Sequence, residues 1–346
     1  MIVHIFADTP HHYEPMKRFL LSVPYTDKQA FWVKSSEQAL LDPDLITYQS
    51  VDALFALIGQ ADSDTSFIFH GLFDVHIWKK LLFHPVSRRC SCVIWGGELY
   101  RHFKKDRSFK EYIAQALHAL MLRKFKHVQT LNMGDAKLVS KALKRKGVSV
   151  LPYPLIGVAT PEPEQRTSNT IRVLVGNSAS SSNRHKEALE SLLPFKALDI
   201  EIVVPLNYAG EASYVNEVTA YGETLFGEKF KPIKHMLNKE EYDALLNSVD
   251  MAVFSQHRQQ GLYVAYTMFL TGKPMFMLST TTSFTNLTEL GFEIDKTEFL
   301  SQLSVESFFE KAFSRSKANQ QLMQSHFTEH ALAPKWAALF ESLECN

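Results

Sequence analysis

The sequence lacks a hydrophobic run long enough to cross a membrane. Its longest largely apolar stretch near the middle, Leu262–Leu270, is far shorter than the roughly 20 residues that a transmembrane helix needs, which predicts a buried helix. The opening residues, Met1–Phe6, are strand-like, with neither a basic leader nor a small-residue cleavage site. No secretory signal is therefore expected.

Cysteine is also scarce, with three in 346 residues. Cys90 and Cys92 lie two positions apart and Cys345 comes near the end, which makes no disulfide framework and favours a reducing compartment. Two thiols without a second pair are poor evidence for a zinc site. The flanking Val93–Trp95 instead favours a buried strand.

The formal net charge is zero, but the two halves differ in sign. Residues 1–160 hold 21 Lys+Arg and 14 Asp+Glu, which leaves 37−21 = 16 basic and 37−14 = 23 acidic residues for the remainder. Residues 79–146, called the basic belt below, hold 17 basic and 4 acidic residues. The belt is expected to attract polyanions or anionic lipid. The alternative is an ordinary solvated helical face.

Strand-length apolar runs alternate with helix-period segments along the whole chain, which predicts an α/β fold with parallel sheets covered on both faces. In the first half the strands are predicted at Ile2–Phe6, Ala30–Val33, Ser66–His70, Ser91–Trp95, Val128–Leu131 and Val148–Leu151. The helices between them are predicted at 12–22, 51–60, 74–82, 107–125 and 134–145.

A polar segment with two prolines, residues 159–170, separates two such patterns and is predicted to be a linker. The length suits two domains. We therefore expect Rossmann-like doubly wound domains at 1–158 and 171–325, with a C-terminal helical segment, 326–346, that packs back on the first. Two such domains would face a cleft at the carboxyl ends of their sheets, where ligands bind in this fold class.

Two segments after strands of the second domain carry ligand-binding chemistry. Strand Ile171–Val175 is followed by Gly176, Asn177, Ser178 and a Ser/Asn run to Asn183, which suits a phosphate or a sugar hydroxyl beside a helix start, or serves as an ordinary helix cap. Neither GxGxxG nor GxxxxGK[ST] is present, so the fingerprints of dinucleotide dehydrogenases and P-loop NTPases are missing.

The second segment leads from strand Met251–Phe254 to a helix that starts at Gly261. Arg258 offers a planar fork of donors to a diphosphate, and the free N–H groups of the helix start add a positive dipole end. Such groups stabilise a leaving nucleoside diphosphate without a metal. No convincing Asp-x-Asp follows a strand, so no metal and no other cofactor are expected. The alternative is a polar surface turn.

These segments resemble glycosyltransferase family 56, the N-acetylfucosamine transferases of enterobacterial common antigen assembly, also described as 4-alpha-L-fucosyltransferases. The matching residues in the second half are Leu174–Ser178, Ser182, Asn183, His185, Val203–Pro205, Tyr208, Tyr214, Glu217, Val218, Tyr242, Ala244–Leu246, Asp250 and Arg258–Gly261. Those in the first half are Asp8, Pro10–His12, Phe69–Gly71, Phe73, Trp95, Gly96, Leu99 and Tyr100.

The resemblance implies a GT-B glycosyltransferase with a dTDP-sugar donor and a polyprenyl-diphosphate-linked saccharide acceptor at the cytoplasmic face of the bacterial inner membrane. The basic belt would then hold the protein against the membrane as a peripheral enzyme, and no nucleic acid partner is expected. Glu98 stands where the family usually has Asp, and Leu72 where it usually has a polar residue. Both departures bear on the identity of the transferred sugar, not on the reaction class.

The predicted fold and the family resemblance together suggest roles for residues of both domains. The donor-binding candidates are Gly176, Asn177, Ser178, Asn183, Tyr208, Arg258, Gln259, Gln260 and Gly261. The acceptor-binding candidates are His70, Gly71, Trp95 and Gly96. Inverting transfer needs a base for the acceptor hydroxyl, and the candidates are Glu98 or His12, with Asp8 or His11 orienting it.

Two other functions fit the same pattern. One is a glycosyltransferase that uses a GDP- or UDP-sugar on a different saccharide or on protein. The other is a two-lobed ligand-binding protein without catalysis, which needs the donor site but no base. The sequence leaves the stereochemistry of transfer and the oligomeric state open.

Overall fold

A computed structural model describes residues 1–7, 10–25, 28–35, 42, 44–157 and 169–344, with only the backbone described for 10–12. The chain forms two compact units. Unit 1 comprises Met1–Ile156 and Glu329–Asn346, and unit 2 comprises Gly157–Thr328. The predicted linker, 159–170, lies outside the described residues except for its last two.

Unit 1 contains a sheet of seven parallel strands in the order β3-β2-β1-β4-β5-β6-β7. The strands are β1 Ile2–Phe6, β2 Gln29–Lys34, β3 Leu45–Tyr48, β4 Ser66–His70, β5 Cys90–Ile94, β6 His127–Thr130 and β7 Val148–Val150. The helices between them are α1 Pro10–Ser22, α2 Val51–Gln60, α3 Val75–Phe83, α4 Gly97–Tyr100, α5 Phe109–Leu122 and α6 Met133–Leu143.

The central strands of this sheet are continuous apolar runs because helices cover them. Every residue of β1, β4 and β5 is buried, which is typical of a parallel sheet buried on both faces. Helix α5 starts with a capping box, in which the Ser108 side chain accepts the Glu111 N–H and the Glu111 carboxylate accepts the Ser108 N–H.

Unit 2 contains six parallel strands in the order β10-β9-β8-β11-β12-β13. The strands are β8 Ile171–Val175, β9 Ile200–Pro205, β10 Phe230–Ile233, β11 Met251–Phe254, β12 Met275–Met277 and β13 Asp295–Lys296. The helices are α7 His185–Ser191, α8 Ala212–Phe226, α9 Lys239–Ser248, α10 Leu262–Leu270, α11 Thr282–Glu289, α12 Val305–Phe313 and α13 Lys317–His326.

The last helix, α14 (Glu329–Glu344), belongs to unit 1. The Trp336 side chain is 0% exposed, and its indole N–H donates to the Pro152 carbonyl at 3.2 Å. The Lys126 ammonium donates to the Leu343 carbonyl at 2.9 Å. The aromatic face of α14 therefore completes the core of unit 1.

Both sheets are parallel and flanked by helices, which confirms the predicted α/β, Rossmann-like fold class. No helix within the described residues is long and apolar enough to cross a membrane.

Candidate functional site

The loop after β8 adopts a conformation that requires glycine at its first position. Gly176 has φ +69°, and a Cβ there would lie 2.8 Å from His185 Nε2 and 3.0 Å from Asn183 Oδ1. Asn183 turns back over this loop, because its amide donates to the Ser178 carbonyl at 2.8 Å and its Oδ1 accepts the Asn177 N–H at 3.2 Å. The backbone is thus held close to the helix start of α7.

The segment after β11 is tied to this loop by side-chain hydrogen bonds. The Gln256 amide donates to Asn177 Oδ1 at 2.9 Å and to Asn183 Oδ1 at 3.0 Å. The Ser182 hydroxyl donates to Gln260 Oε1 at 2.6 Å. Because β8 and β11 are neighbours in a parallel sheet, both segments leave the same edge. The structure therefore brings the two predicted donor segments together.

Tyr208 joins the same cluster from the segment after β9. Its hydroxyl accepts the Asn177 side-chain amide at 3.0 Å, and its carbonyl accepts the Ala179 N–H at 2.8 Å. His185 lies beneath the loop, with Nδ1 3.0 Å from the Tyr214 hydroxyl. Burial lowers the pKa of His185 to about 4, so its imidazole is neutral at physiological pH.

Arg258 lies half-buried just before α10. Its guanidinium donates to the Gln259 carbonyl at 3.3 Å. The segment ends at Gly261, which has φ +67° and caps α10. A Cβ on Gly261 would lie 2.9 Å from the Phe254 ring and 3.1 Å from Asn177 Oδ1, so the close approach of the two segments depends on glycine here too.

Several buried polar atoms around these segments have no hydrogen-bond partner among the described residues. They are Asn207 Oδ1, Gln259 Oε1 and Gln260 Nε2. Unpaired buried polar groups cost about 1–3 kcal/mol each. These atoms beside the β8 and β11 segments are able to pair with a polar ligand.

A cavity of about 310 Å³ opens beside the same edge of the unit 2 sheet. Its lining comprises Arg184, Glu187, Glu190, Ser191, Ser255, Leu278, Thr297, Glu298 and Ser301. Its size falls within the range of small-molecule sites. Glu298 is held in place by the Ser279 backbone N–H at 3.0 Å.

The sequence reasoning did not single out Arg184, Glu187, Thr297 or Glu298. Thr297 and Glu298 follow β13, a two-residue strand whose polar sequence gives no apolar signal. Arg184 has a left-handed backbone, φ 53°, which no pattern of residue types indicates. Only Ser255, at the exit of a predicted strand, could have been identified from its position.

In unit 1, a chain of hydrogen bonds runs through the core to Trp95. The Gln29 amide donates to the Leu20 carbonyl at 3.1 Å, so its Oε1 accepts from His4 Nε2 at 3.0 Å. His4 Nδ1 then accepts from His70 Nε2 at 2.9 Å. The Tyr153 hydroxyl donates to His70 Nδ1 at 2.8 Å and accepts from the Trp95 indole N–H at 2.9 Å.

This chain assigns His70 a positioning role. Its ring is 0% exposed and stacks on Phe6 at a centroid distance of 4.1 Å. Trp95, in contrast, is half-buried, and its ring lies edge-on to Phe73 at 6.0 Å. The side chain of His70, predicted to bind the acceptor, is thus buried and is linked to the half-buried Trp95 through Tyr153.

Gly71 and Gly96 shape the two loops at this end of the sheet. Gly71 has φ +74°, and a Cβ there would lie 2.7 Å from the Phe73 ring and 3.1 Å from the Trp95 ring. Gly96 has φ 103° and starts α4. Gly71 thus allows the backbone to pass close to the aromatic pair Phe73 and Trp95.

Glu98 is buried at the start of α4 and joins the two loops. Its Oε1 accepts the Trp95 N–H at 3.1 Å and the Leu72 N–H at 3.4 Å. Its Oε2 has no partner in the described part of the chain, and the residue is 0% exposed. Burial raises the pKa of this carboxyl above its ordinary value, against the hydrogen bonds that lower it.

The other acid–base candidates lie outside the described atoms. Asp8 is outside the described residues, and only the backbone of His11 and His12 is described, within α1 at the carboxyl end of β1. In the parts of the chain that the structure describes, no group of three or more His, Cys, Asp or Glu is arranged to hold a metal. Cys90 and Cys92 are buried free thiols in β5.

Comparisons with known proteins agree with this architecture. Among solved structures, the chain is similar to sucrose-phosphate synthase from Thermosynechococcus elongatus, with a TM-score of 0.71, 12% identity and 99% of each chain covered. It is also similar to the N-terminal domain of Candida albicans trehalose-6-phosphate phosphatase, with a TM-score of 0.69, 10% identity, and 99% of this chain and 96% of that chain covered.

A glycosyltransferase from Rickettsia africae has a TM-score of 0.67 at 14% identity, over 100% of this chain and 98% of that chain. At these identities the likeness shows the fold, and it confirms the predicted GT-B class. The sequence itself matches the family model described as 4-alpha-L-fucosyltransferase, glycosyl transferase group 56, over residues 1–309. Because that match spans most of the chain, this protein is a glycosyltransferase and belongs to glycosyltransferase family 56.

Proposed function

We propose that the protein transfers a deoxyhexose of the fucose or N-acetylfucosamine type from a dTDP-sugar to a polyprenyl-diphosphate-linked saccharide, with inversion and without a metal. The observation that carries the donor half is the clustering of the β8 and β11 segments through Gln256, Asn177 and Asn183. Unpartnered buried polar atoms surround that cluster within the described residues. The sugar and acceptor classes come from the family resemblance.

Within unit 2, the diphosphate is placed at Arg258 and the first N–H groups of α10. Leaving-group departure adds negative charge to the β-phosphate, and a guanidinium with an α-helix N-terminus stabilises that charge. The nucleoside is placed in the 310 Å³ cavity. Ser255 belongs to the lining of this cavity and lies close to Arg258 in the sequence. The unpartnered Gln259 Oε1 is then available to accept from a sugar hydroxyl.

Within unit 1, the acceptor saccharide is placed on Trp95 beside Gly71 and Gly96. Aromatic rings present an apolar face to a sugar ring, and the hydrogen bonds from Tyr153 and His70 fix the orientation of the indole. The basic belt brings this unit to an anionic membrane that carries the lipid-linked acceptor. This placement makes the protein a peripheral membrane enzyme of the cytoplasmic face.

His12 is proposed as the general base, and Glu98 as a positioning residue. The ordinary pKa of histidine, about 6.5, suits proton abstraction near neutral pH. Glu98 is fully buried, and its Oε1 is occupied by two backbone N–H groups. It therefore holds the loops of Leu72 and Trp95 together instead of meeting a hydroxyl.

The two roles predict different kinetics for matched amide variants. His12→Gln is expected to lower kcat by about 100-fold, because it removes the proton acceptor. Glu98→Gln is expected to keep kcat close to wild type, because the amide oxygen still accepts both N–H groups. Steady-state kinetics on both variants is the measurement. The reverse result, with Glu98→Gln inactive but folded and His12→Gln active, assigns the base to Glu98.

The donor is tested by thermal shift with dTDP, UDP and GDP. A ligand present at 100 times its Kd stabilises the folded state by about 2.7 kcal/mol, which raises the Tm of a unit of this size by several degrees. We expect dTDP to give the largest shift. A larger shift with GDP or UDP would contradict the proposed donor and favour a transferase for another nucleotide sugar.

A further inference from the structure

Helix α5 exposes an apolar stripe that no other part of the described chain covers. Phe109 is 78% exposed, Tyr112 61%, Ile113 44% and Leu120 46%. With Ala116, these side chains recur at steps of three and four residues, so they lie along one face of the helix. The stripe, defined here as Phe109, Tyr112, Ile113, Ala116 and Leu120, runs along the whole outer side of α5.

The opposite face of α5 packs against the core of unit 1. Gln115, His118, Met121 and Leu122 are buried. The His118 ring stacks on Trp78 of α3 at a centroid distance of 4.3 Å. The stripe is therefore not needed for the core of unit 1, and its exposed apolar area calls for a partner.

Apolar exposure continues beside both ends of the helix. Phe103, just before α5, is 43% exposed, and Phe83, at the end of α3, is 82% exposed. The Lys124 ammonium donates to the Leu82 carbonyl, which places the end of α3 beside the end of α5. The stripe is thus the centre of a larger aromatic surface.

Cationic side chains border the stripe. Lys105, Arg107, Lys110 and Arg123 are exposed on or next to α5. The Arg107 guanidinium lies 5.5 Å from the centre of the Tyr112 ring. The basic belt that contains the helix carries 17−4 = 13 net positive charges. Apolar and aromatic side chains on one face with Lys and Arg along its edges are typical of helices that lie in a membrane interface.

We propose that α5 is the element that inserts into an anionic bilayer, with the stripe at the boundary between head groups and acyl chains and the basic side chains on the lipid phosphates. An anionic leaflet supplies both an apolar layer and counter-charges along its whole surface, whereas a soluble partner would need an apolar patch with carboxylates at its rim. The inference deepens the proposed function, because it identifies how the enzyme reaches a lipid-linked acceptor.

The test measures binding of the full chain to phosphatidylcholine vesicles with and without phosphatidylglycerol, in the absence of substrates. Wild type is expected to bind the anionic vesicles and not the zwitterionic ones. The variant Phe109→Ser/Ile113→Ser/Leu120→Ser is expected to lose about 100-fold in partitioning. The matched control, Phe299→Ser/Phe309→Ser in unit 2, removes side chains that are 55% and 46% exposed and is expected to bind like wild type.

The charge contribution is tested with Lys105→Glu/Lys110→Glu, which should also release the protein. These positions avoid Lys104, which pairs with Glu111 at 2.9 Å, and Lys126 and Arg123, which donate to the Leu343 and Leu143 carbonyls. Insertion itself is tested with Tyr112→Trp. Its added emission should shift to the blue with anionic vesicles, and an unshifted spectrum from bound protein would overturn insertion.

Two results would overturn the inference as a whole. One is unchanged vesicle binding by the stripe variant. The other is a wild-type protein that is a dimer in sedimentation velocity and a stripe variant that is a monomer, with the same vesicle binding for both. A second copy of the chain would then cover the stripe. Transfer to a soluble short-chain acceptor should be equal in wild type and stripe variant. If wild type binds vesicles through the stripe but transfers no sugar, the proposed function fails and the inference stands.

Discussion

Acidification from pH 7 to pH 5 is expected to destabilise unit 1 by about 4 kcal/mol. The cause is a set of buried neutral histidines. Burial lowers the pKa of His4 to about 3 and that of His118 to about 3. Burial, with a smaller effect of His4, also lowers the pKa of His70 well below its ordinary value.

The direction follows from proton binding in the two states. In the unfolded chain these histidines titrate near 6.5, whereas in the folded chain they stay neutral to much lower pH. Their stabilising contribution is complete above pH 6.5 and is lost as the pH falls toward the folded pKa. At pH 5, which is 1.5 units below 6.5, His4 and His118 each cost about 2 kcal/mol.

The buried carboxyl of Glu98 has the opposite effect on the pH dependence of stability. The folded pKa of Glu98 is raised by burial, so its contribution improves as the pH falls. It offsets part of the cost of the buried histidines, which is about 4 kcal/mol for His4 and His118 together. Because domains are stable by only about 5–15 kcal/mol, unit 1 should lie close to unfolding at pH 5.

Tryptophan fluorescence isolates this effect. All four tryptophans, Trp32, Trp78, Trp95 and Trp336, belong to unit 1, so urea titrations followed by their emission report unit 1 alone. The urea midpoint should fall sharply between pH 7 and pH 5. His118→Phe should keep the stacking on Trp78 and remove part of the pH dependence.

The matched control is His76→Asn, an exposed position on α3. It should leave the pH dependence unchanged. Equal urea midpoints for wild type at pH 7 and pH 5 would contradict the prediction.

The central strands were predictable because burial on both faces demands unbroken apolar runs. Ile2–Phe6, Ser66–His70, Ile171–Val175 and Met251–Phe254 have the bounds expected from the sequence. Three edge strands were missed, because β3 and β10 are only half-buried and β13 has two polar residues, whereas the edge strand β7 was predicted. An edge strand needs fewer apolar side chains than a central one.

Some helices were predictable from the sequence and others were not. Helix α11 was missed, because its Thr- and Ser-rich sequence has low helix propensity and its start depends on the Thr281 cap. Helices α12 and α13 are separate elements, divided at residues 314–316. The Ser304 and Ser316 caps each start a separate helix.

The proximity of the two donor segments followed from topology alone. Strands β8 and β11 are parallel neighbours, so the residues after each of them share one edge. The contacts that hold them, from Gln256 to Asn177 and Asn183, join positions more than 70 residues apart. The chain from His4 through His70 to Tyr153 is equally non-local, and no spacing in the sequence indicates it.

Arg258→Ala is expected to lower kcat/KM by about 1,000-fold. A guanidinium donates two charge-assisted hydrogen bonds to a diphosphate, worth about 1.5–3 kcal/mol each, and the loss of about 4 kcal/mol corresponds to three orders of magnitude. Part of this loss should appear in kcat, because the charge on the departing phosphate grows in the transition state. Arg258→Lys should recover only part of the activity, since an ammonium lacks the planar fork.

The experiment combines steady-state kinetics with direct titration of dTDP. Lys231→Ala, on the edge strand β10 and exposed, is the matched control for the loss of one positive charge. It should leave both kcat/KM and the dTDP Kd unchanged. If Arg258→Ala binds dTDP and turns over like this control, the diphosphate does not lie at the start of α10, and the donor site must be sought beside Arg184, the cation in the lining of the 310 Å³ cavity.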